Sequence, residues 1–360
     1  MVYNNSMRIF DYEKYKGLAL DSEVVSLIAK IYEKKGEHGA YIEREPEVLA
    51  TLVEVSKIQS TEASNKIEGI VTTAERISAL LKRKSKPLNR NEEEIAGYRD
   101  VLNTIHENYE YIPFSSNYIL QLHRDLLKFT SLSYAGKYKN TDNIIAEKDA
   151  SGTIIRTIFE PLKPYETPDA IFSICEQYNK ANDCEYIDPL VLIPITIHDL
   201  LCVHPFNDGN GRISRLLTLL LFYKNGFVVG KYISIERIIE QTKEDYYASL
   251  EKSGVGWHDN KDNPLAFIKY MLRVLLLAYR EFDERVVSVV KDKANKQDQV
   301  KRVIDARIGK ITKKEIMDAL PNVSEPTVKL ALNALVKDGY IRVIGTARNS
   351  AYVKTNKGDN

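Results

Sequence analysis

Apolar residues recur three and four apart along most of this chain, the spacing of amphipathic helices. Val24, Leu27, Ile28 and Ile31 mark one helix in an otherwise polar stretch running to residue 45. Leu49, Leu52, Val53 and Ile58 carry the pattern on from Glu45 to Leu81, with one interruption at Ser64-Asn65-Lys66-Ile67-Glu68-Gly69 and a further helix from Ala74. Ser64 and Glu68 are four apart and share a helical face, and Gly69 suits a helix stop. Glu92 to Tyr109 reads as helix. Pro113 and Ser115-Ser116 then break the chain, and Asn117 is expected to cap a helix bearing Ile119, Leu122, Leu126 and Leu127. Ala170 to Tyr178 is helical. Leu190 to Val203, opened by Asp188-Pro189, is greasy enough to be a buried core helix, which Pro194 should kink or loosen. His198 on it reads as a core histidine. The spacing resumes at Ile213, Leu216, Leu217, Leu220 and Leu221 and stops at Asn225-Gly226. Ile233 to Ser253 predicts one more helix, and Pro264 opens a long one through Phe267, Met271, Leu275 and Phe282.

The helical rhythm lapses in a few places. Asn143-Ile144-Ile145-Ala146 and Thr153-Ile154-Ile155-Arg156, separated by Lys148-Asp149-Ala150-Ser151-Gly152, predict a short β-hairpin. Lys82 to Asn91 is a basic, proline-containing stretch, and Lys291 to Gln299 is polar and charged; both read as linkers. The last sixty residues repeat a compact plan. One helix is marked by Val300, Val303, Ile304 and Ile308, a second is capped by Thr312, and a turn at Asn322-Val323-Ser324 leads to a third opened by Ser324-Glu325-Pro326-Thr327 and stopped by Asp338-Gly339. Ile341-Arg342-Val343 and Ala351-Tyr352-Val353 then flank a short loop containing Arg348. This plan is similar to a winged helix-turn-helix, whose third helix would expose Glu325, Thr327, Lys329 and Asn333.

Composition narrows the classes. The chain has 360 residues, enough for two or three domains with real cores, and its 44% hydrophobic and 28% charged content is that of a globular protein. The formal net charge of +1 excludes polyanion binding through bulk charge. From Val300 onward there are 12 Lys and Arg against 6 Asp and Glu, a mild basic excess that leaves duplex DNA and protein docking both open for this segment. Cys175, Cys184 and Cys202 lack metal spacing, lie in helical, apolar surroundings and read as reduced, mostly buried thiols, which points to the cytoplasm. The N-terminus has no apolar signal region, and the greasiest run is too short and interrupted to span a bilayer.

The chemistry is concentrated in His204-Pro205-Phe206-Asn207-Asp208-Gly209-Asn210-Gly211-Arg212, continued by Ile213-Ser214-Arg215. A glycine-rich turn opening a helix presents free N–H groups at a positive dipole end, an anion site. Arg212 and Arg215, three apart, project from one face of its first turn, and two guanidinium forks suit a polyphosphate. Asp208 can hold Mg²⁺, which binds phosphates through only one or two carboxylates. His204 can take a proton near neutral pH.

This stretch resembles the signature of the Fic family, HxFx(D/E)GNGRxxR, at every fixed position. The resemblance covers roughly residues 45 to 285 and implies a mainly α fold: a Fic helical core with a β-hairpin flap, followed here by the winged helix-turn-helix. The domains expected are an N-terminal helical region over 1–112, a catalytic core over 113–290 and the terminal unit over 296–360. The family activity implied is transfer of AMP from ATP, with Mg²⁺, to a Ser, Thr or Tyr hydroxyl of a target protein. The resemblance makes His204 the general base and Asp208 the metal ligand, with Gly209, Asn210, Gly211, Arg212 and Arg215 on the phosphates. Phe206 would anchor the loop in the core. Tyr246 and Tyr247 match the segment lining the nucleoside pocket, although an aromatic core pair reads equally well from the residues alone, and the match thins at Gly254, where some relatives place a base-contacting asparagine. Ser64 and Glu68 match the inhibitory motif (S/T)xxxE(G/N) within about 60–69, whose glutamate would pair with Arg215 and block the γ-phosphate. The hairpin at about 143–156 would be the flap that pins a target strand. The signature does not separate addition of AMP from its removal or from transfer of another phosphate-linked group. A DNA-binding regulator with a nucleotide-sensing core, a docking adaptor and a homodimer also stay open.

Overall fold

In the computed structural model, residues 8–44, 46–81, 85–149, 151, 153–307, 309–320, 323–345 and 350–355 are described. They divide into two units, Met1–Phe282 and Asp283–Asn360. Among its described residues the first is built of helices and one hairpin. Its helices are α1 (Ser22–Arg44), α2 (Pro46–Ile67), α3 (Ala74–Leu81), α4 (Arg90–Asn108), α5 (Ser116–Leu126), α6 (Thr167–Asp183), α7 (Pro189–Val203), α8 (Asn210–Lys224), α9 (Ile235–Gln241) and α10 (Lys243–Gly254). The last helix, α11, spans Leu265–Asp305 and so extends past the boundary. Among the described residues no helix is long and apolar enough to cross a membrane.

At the centre lie α7 and α8, packed on each other and joined by the loop 204–209. From Leu190 to Val203 every position of α7 except Leu201 is buried, which is why the run reads as almost continuously apolar. The helix runs through Pro194. Asp188 caps its start by accepting the Leu190 N–H at 2.8 Å, and His204 closes its end in the left-handed region. Around this pair α4, α5 and α6 pack on one another and on the centre, and α2 lies against α4 and α9.

Several boundaries differ from those the sequence predicts. The N-cap of α5 is Ser115 and not Asn117, because the helix starts two residues earlier. The segment 233–253 is two helices, since Thr242 leaves helical geometry and turns its hydroxyl back onto Ile238 O at 2.8 Å. The hairpin strands are β1 (Ile145–Lys148) and β2 (Ile154–Phe159), antiparallel and displaced toward the C-terminus of the expected positions. Asn143 is not in the ladder because its side chain bonds the loop after α7. Asp149 closes the hairpin turn by accepting the N–H groups of Ser151 and Thr153. The run 291–299 is helix and not linker, since it has no glycine or proline to break one. Of the three thiols, Cys175 and Cys202 are buried but Cys184 is exposed, just past the end of α6.

The second unit builds its own core from Val300, Ile304, Ile316, Val328, Leu332 and Leu335 with neighbouring apolar residues. It contains β3 (Ile311–Thr312), α12 (Lys313–Ala319), α13 (Glu325–Lys337), β4 (Ile341–Ile344) and β5 (Ala351–Lys354), with β5 between β3 and β4 in an antiparallel sheet. Thr312 and Glu315 form a reciprocal capping box at the start of α12. On α13 Glu325, Lys329 and Asn333 are exposed and Thr327 is partly so. Ile308, Asn322 and Arg348 lie outside the described residues.

Candidate active site

The loop between α7 and α8 is folded by its own side chains. Asn210 spans it, accepting the Phe206 N–H at 2.9 Å and donating back to Phe206 O at 2.7 Å. The Phe206 ring is fully buried and stacks on His123 of α5, with centroids 3.7 Å apart and planes 6° from parallel. Gly136 N–H donates to His123 Nδ1, so the ring proton sits on Nε2 and is donated to Asp208 O at 3.0 Å. Burial keeps this imidazole neutral by pushing it down to about 4. Gly209 turns the chain into α8 at φ +83°, a conformation in which a side chain is strained.

Once this turn is made, α8 begins at Asn210 with its first N–H groups unpaired within the helix. The Glu68 carboxylate, from the end of α2, rests against it. A Cβ at Gly211 would lie 2.2 Å from Glu68 Oε1, so only glycine admits the carboxylate here. Arg215 grips the same oxygen at 2.8 Å, donates through Nε to Ser64 Oγ at 2.9 Å and reaches Ser64 O at 2.8 Å. Ser64 and Glu68 therefore meet one guanidinium from successive turns. Burial alone would raise the Glu68 carboxyl, but Arg215, Arg212 and Lys243 outweigh it and hold the group below its ordinary range. Arg215 is 3% exposed and Glu68 31%. Lys243 donates to Ile67 O at 2.8 Å and caps the end of α2 beside this pair.

Arg212, 1% exposed, pairs with the buried Glu94 of α4 at 2.7 Å and lies 3.5 Å from Asp208 Oδ1. Asp208 has 38% of its side chain exposed. It accepts the Gly209 N–H at 2.6 Å and the Arg90 guanidinium at 3.2 Å. Arg90 also reaches Glu94 at 2.8 Å, which closes a ring of two acids and two arginines.

A cleft of about 510 Å³ opens between this helix end, the hairpin and α10. It brings together Glu68, His204, Gly211, Arg215, Tyr246 and Tyr247. Asp208, Gly209, Asn210 and Arg212 lie beside it and not on its wall. Tyr246 is both a core residue and a wall residue: it is 3% exposed and its ring meets those of Phe267 and Tyr270. Tyr247 keeps 43% of its surface open. Ile144, Ala146 and Phe159 of the hairpin segment close the opposite side, with His198 buried behind. His204 is partly buried, with Nδ1 3.4 Å from Leu201 O, an arrangement that leaves the Nε2 lone pair free. Burial, then the Lys139 charge, lowers it to about 4.

The loop residues and the Ser64/Glu68 pair are thus gathered at one helix terminus. His123, Glu94, Arg90, Lys139 and Lys243 carry no signal in the sequence, because each reaches the site from a separate element through tertiary packing.

Residues 113–222, the stretch containing this loop, match the Fic/DOC family model. The chain contains a Fic domain. The protein adenylyltransferase fic-1 of Caenorhabditis elegans is 29% identical over 147 residues, 41% of this chain and 25% of that protein. The protein adenylyltransferase Fic of Nematostella vectensis is 24% identical over 208 residues, 54% of this chain and 42% of that protein. The matches therefore span a quarter to under half of these relatives' lengths. A Fic family protein from Desulfovibrio desulfuricans shares the fold with a TM-score of 0.62 at 24% identity, over 95% of this chain and 98% of that one. The helical Fic fold with its small hairpin is therefore the architecture on which the cleft is built.

Proposed function

We propose that this Fic domain transfers AMP from ATP to a Ser, Thr or Tyr hydroxyl of a target protein, and that Glu68 restrains the transfer. The observation that carries the reading is the Glu68 carboxylate seated on the first turn of α8 and gripped by Arg215. An acid already occupies the position in which that helix end would receive an anion. The adenylyltransferase names of the relatives support the chemistry.

In this reading the triphosphate lies against the turn from Asp208 to Arg215. Gly209, Gly211 and the backbone of Asn210 cradle it, since the Asn210 side chain is committed to Phe206. Arg212 and Arg215 take the β- and γ-phosphates as planar forks. Tyr246 and Tyr247 line the nucleoside end. His204 accepts the target's hydroxyl proton as the oxygen attacks the α-phosphorus; the bond to the β-phosphate oxygen breaks and pyrophosphate leaves. An imidazole near 4 is already unprotonated at pH 7, and the arriving polyanion raises it toward a better base. Asp208, 38% exposed, fits Mg²⁺ as one carboxylate ligand of a phosphate-borne ion, although Arg90 or Arg212 must first release an oxygen. When bound, the ion would neutralise charge on the leaving pyrophosphate. Removal of AMP is the second reading: Glu68 shares a cleft wall with His204 and could hold water there.

For the second unit we propose a winged helix-turn-helix that binds duplex DNA through α13, on the strength of its exposed Lys329 and Asn333 and the mild basic excess. Glu325 pairs with both Lys313 and Lys329, which tempers that face. A gel shift that weakens with salt and is unaffected by His204→Ala would support it; none at low salt would reject it.

The transfer itself is tested by incubating the Glu68→Gly protein with ATP labelled at the α- or the γ-phosphate. Protein-bound label from the α position alone, lost in His204→Ala, is expected. Label from the γ position would mean phosphoryl transfer, and release of AMP from a modified target without label uptake would favour the removal reading.

A further inference from the structure

Two residues ahead of the hairpin take up four consecutive carbonyls of the loop that bears His204. Lys139 Nζ donates to Val203 O at 2.9 Å, and Asn143 Nδ2 reaches His204 O at 3.4 Å. Lys139 N–H donates to Pro205 O at 2.8 Å, and Asn143 Nδ2 donates to Phe206 O at 3.1 Å. The pair is also self-bracing, because Lys139 Nζ donates to Asn143 Oδ1 at 2.9 Å.

Such a bracket has a physical reason. His204 has a φ of 51°, a left-handed conformation that is strained for a non-glycine residue and persists only where its surroundings over-determine it. Asn210 ties the far side of the loop, at Phe206. The near side, where α7 ends with unpaired carbonyls, is tied by Lys139. This ammonium is 3% exposed, an expensive placement for a lysine, and it is offset by the negative end of α7 and two oxygen acceptors. Burial lowers it to about 8, so it stays mostly charged at neutral pH. Both side chains are turned onto the backbone of the loop and onto each other, with Lys139 Nζ on Val203 O and Asn143 Oδ1 and Asn143 Nδ2 on His204 O and Phe206 O.

We infer that Lys139 and Asn143 are positioning residues for the proposed transfer: they set the backbone from which His204 meets the target hydroxyl and act on the chemical step without contributing to nucleotide affinity. The inference rests on the transfer reading only for its kinetic arm.

The test uses Lys139→Met and Asn143→Leu, which keep volume and remove the donors, in the full-length Glu68→Gly chain. Each is expected to lower kcat about 10²-fold, as a misplaced base does, while ATP affinity by calorimetry stays within about twofold and so also certifies the fold. The double variant should lose little more than the worse single, because the two share one bracket. Lys139→Arg, which retains the charge and the donors, should recover most of the rate. Independently of turnover, the His204 imidazole resonance, assigned through His204→Ala, should be single and sharp in the parent and broadened or doubled in both variants. An unchanged resonance, an unchanged kcat, or ATP affinity falling in step with kcat would each overturn the bracket. A parent that takes no label while the resonance still responds would sink the transfer reading and leave the bracket standing.

Discussion

Two of the arginine–carboxylate sites beside the central helices, those of Arg8 and Arg215, differ in one respect. Arg8, from the N-terminal segment, contacts Asp199 of α7 at 2.9 Å and Asp262 of the segment before α11, and all three side chains are no more than 2% exposed. The Trp257 indole donates to the same Asp199 oxygen at 2.6 Å. His198, Asp199 and Asp262 lie close enough together to suggest a metal site, but Arg8 already supplies the positive charge there. Arg215 is as deeply buried as Arg8, yet its partner Glu68 stays 31% exposed on a cleft wall. The first site joins three distant segments through side chains that are all but closed to solvent. The second leaves one partner a way out. A fully enclosed pair is costly to break from one side, by about 3–5 kcal/mol, because the remaining charge is stranded. A pair with an open acid is weakened by solvent and can be exchanged for another anion. The same chemistry therefore makes a rivet in one place and, in the proposed reading, a latch in the other.

The comparison can be broken by experiment. The largest effect is expected from His204→Ala in the Glu68→Gly protein, a loss of about 10²–10⁴-fold in transfer with no change in melting temperature, because it removes the base and touches neither arginine site. Arg8→Met should follow, with about 3–5 kcal/mol lost in denaturant unfolding and no gain in transfer. A gain there would mean that the rivet also restrains the site. Glu68→Gly should cost less than Arg8→Met in stability, since the stranded Arg215 still has Ser64, while transfer rises. Gly211→Ala should displace Glu68 from α8 and yet fail to activate, because the same methyl fills the phosphate's seat; its ATP affinity should fall by calorimetry.

The smallest effect is that of pH. The Glu68 carboxyl lies below its ordinary range, so its contribution to the closed state is present above the unfolded value near ~4.3 and is lost only as pH falls through the lower folded value. Restraint should thus be flat from pH 6 to 8 when the wild-type to Glu68→Gly rate ratio is followed. The free-enzyme acid limb for His204 should likewise lie well below the ordinary ~6.5.

The legible parts of this molecule are those written in neighbouring residues. The glycine turn into α8, the shared face of Ser64 and Glu68, the cap at Thr312 and the core character of α7 all depend on spacings of four residues or fewer, and each is found where expected. The rivet joins residues 191 positions apart in its Arg8–Asp199 arm, and the bracket spans 64 from Lys139 to Val203. Nothing local distinguishes Arg8, Lys139 or Glu94 from a solvated charge, since burial is decided by what packs over them. The charged run from Lys291 to Gln299 misled in the opposite way: polarity alone does not end a helix that lacks glycine and proline.

The most direct measurement is the initial rate of α-labelled AMP incorporation by wild type and Glu68→Gly, at saturating ATP and Mg²⁺, beside their ATP dissociation constants. If the Glu68–Arg215 pair is a latch on the phosphate seat, Glu68→Gly incorporates label at least about tenfold faster, the effect of some 1.4 kcal/mol at the barrier. Equal rates in the two proteins, with ATP bound by both, would contradict it.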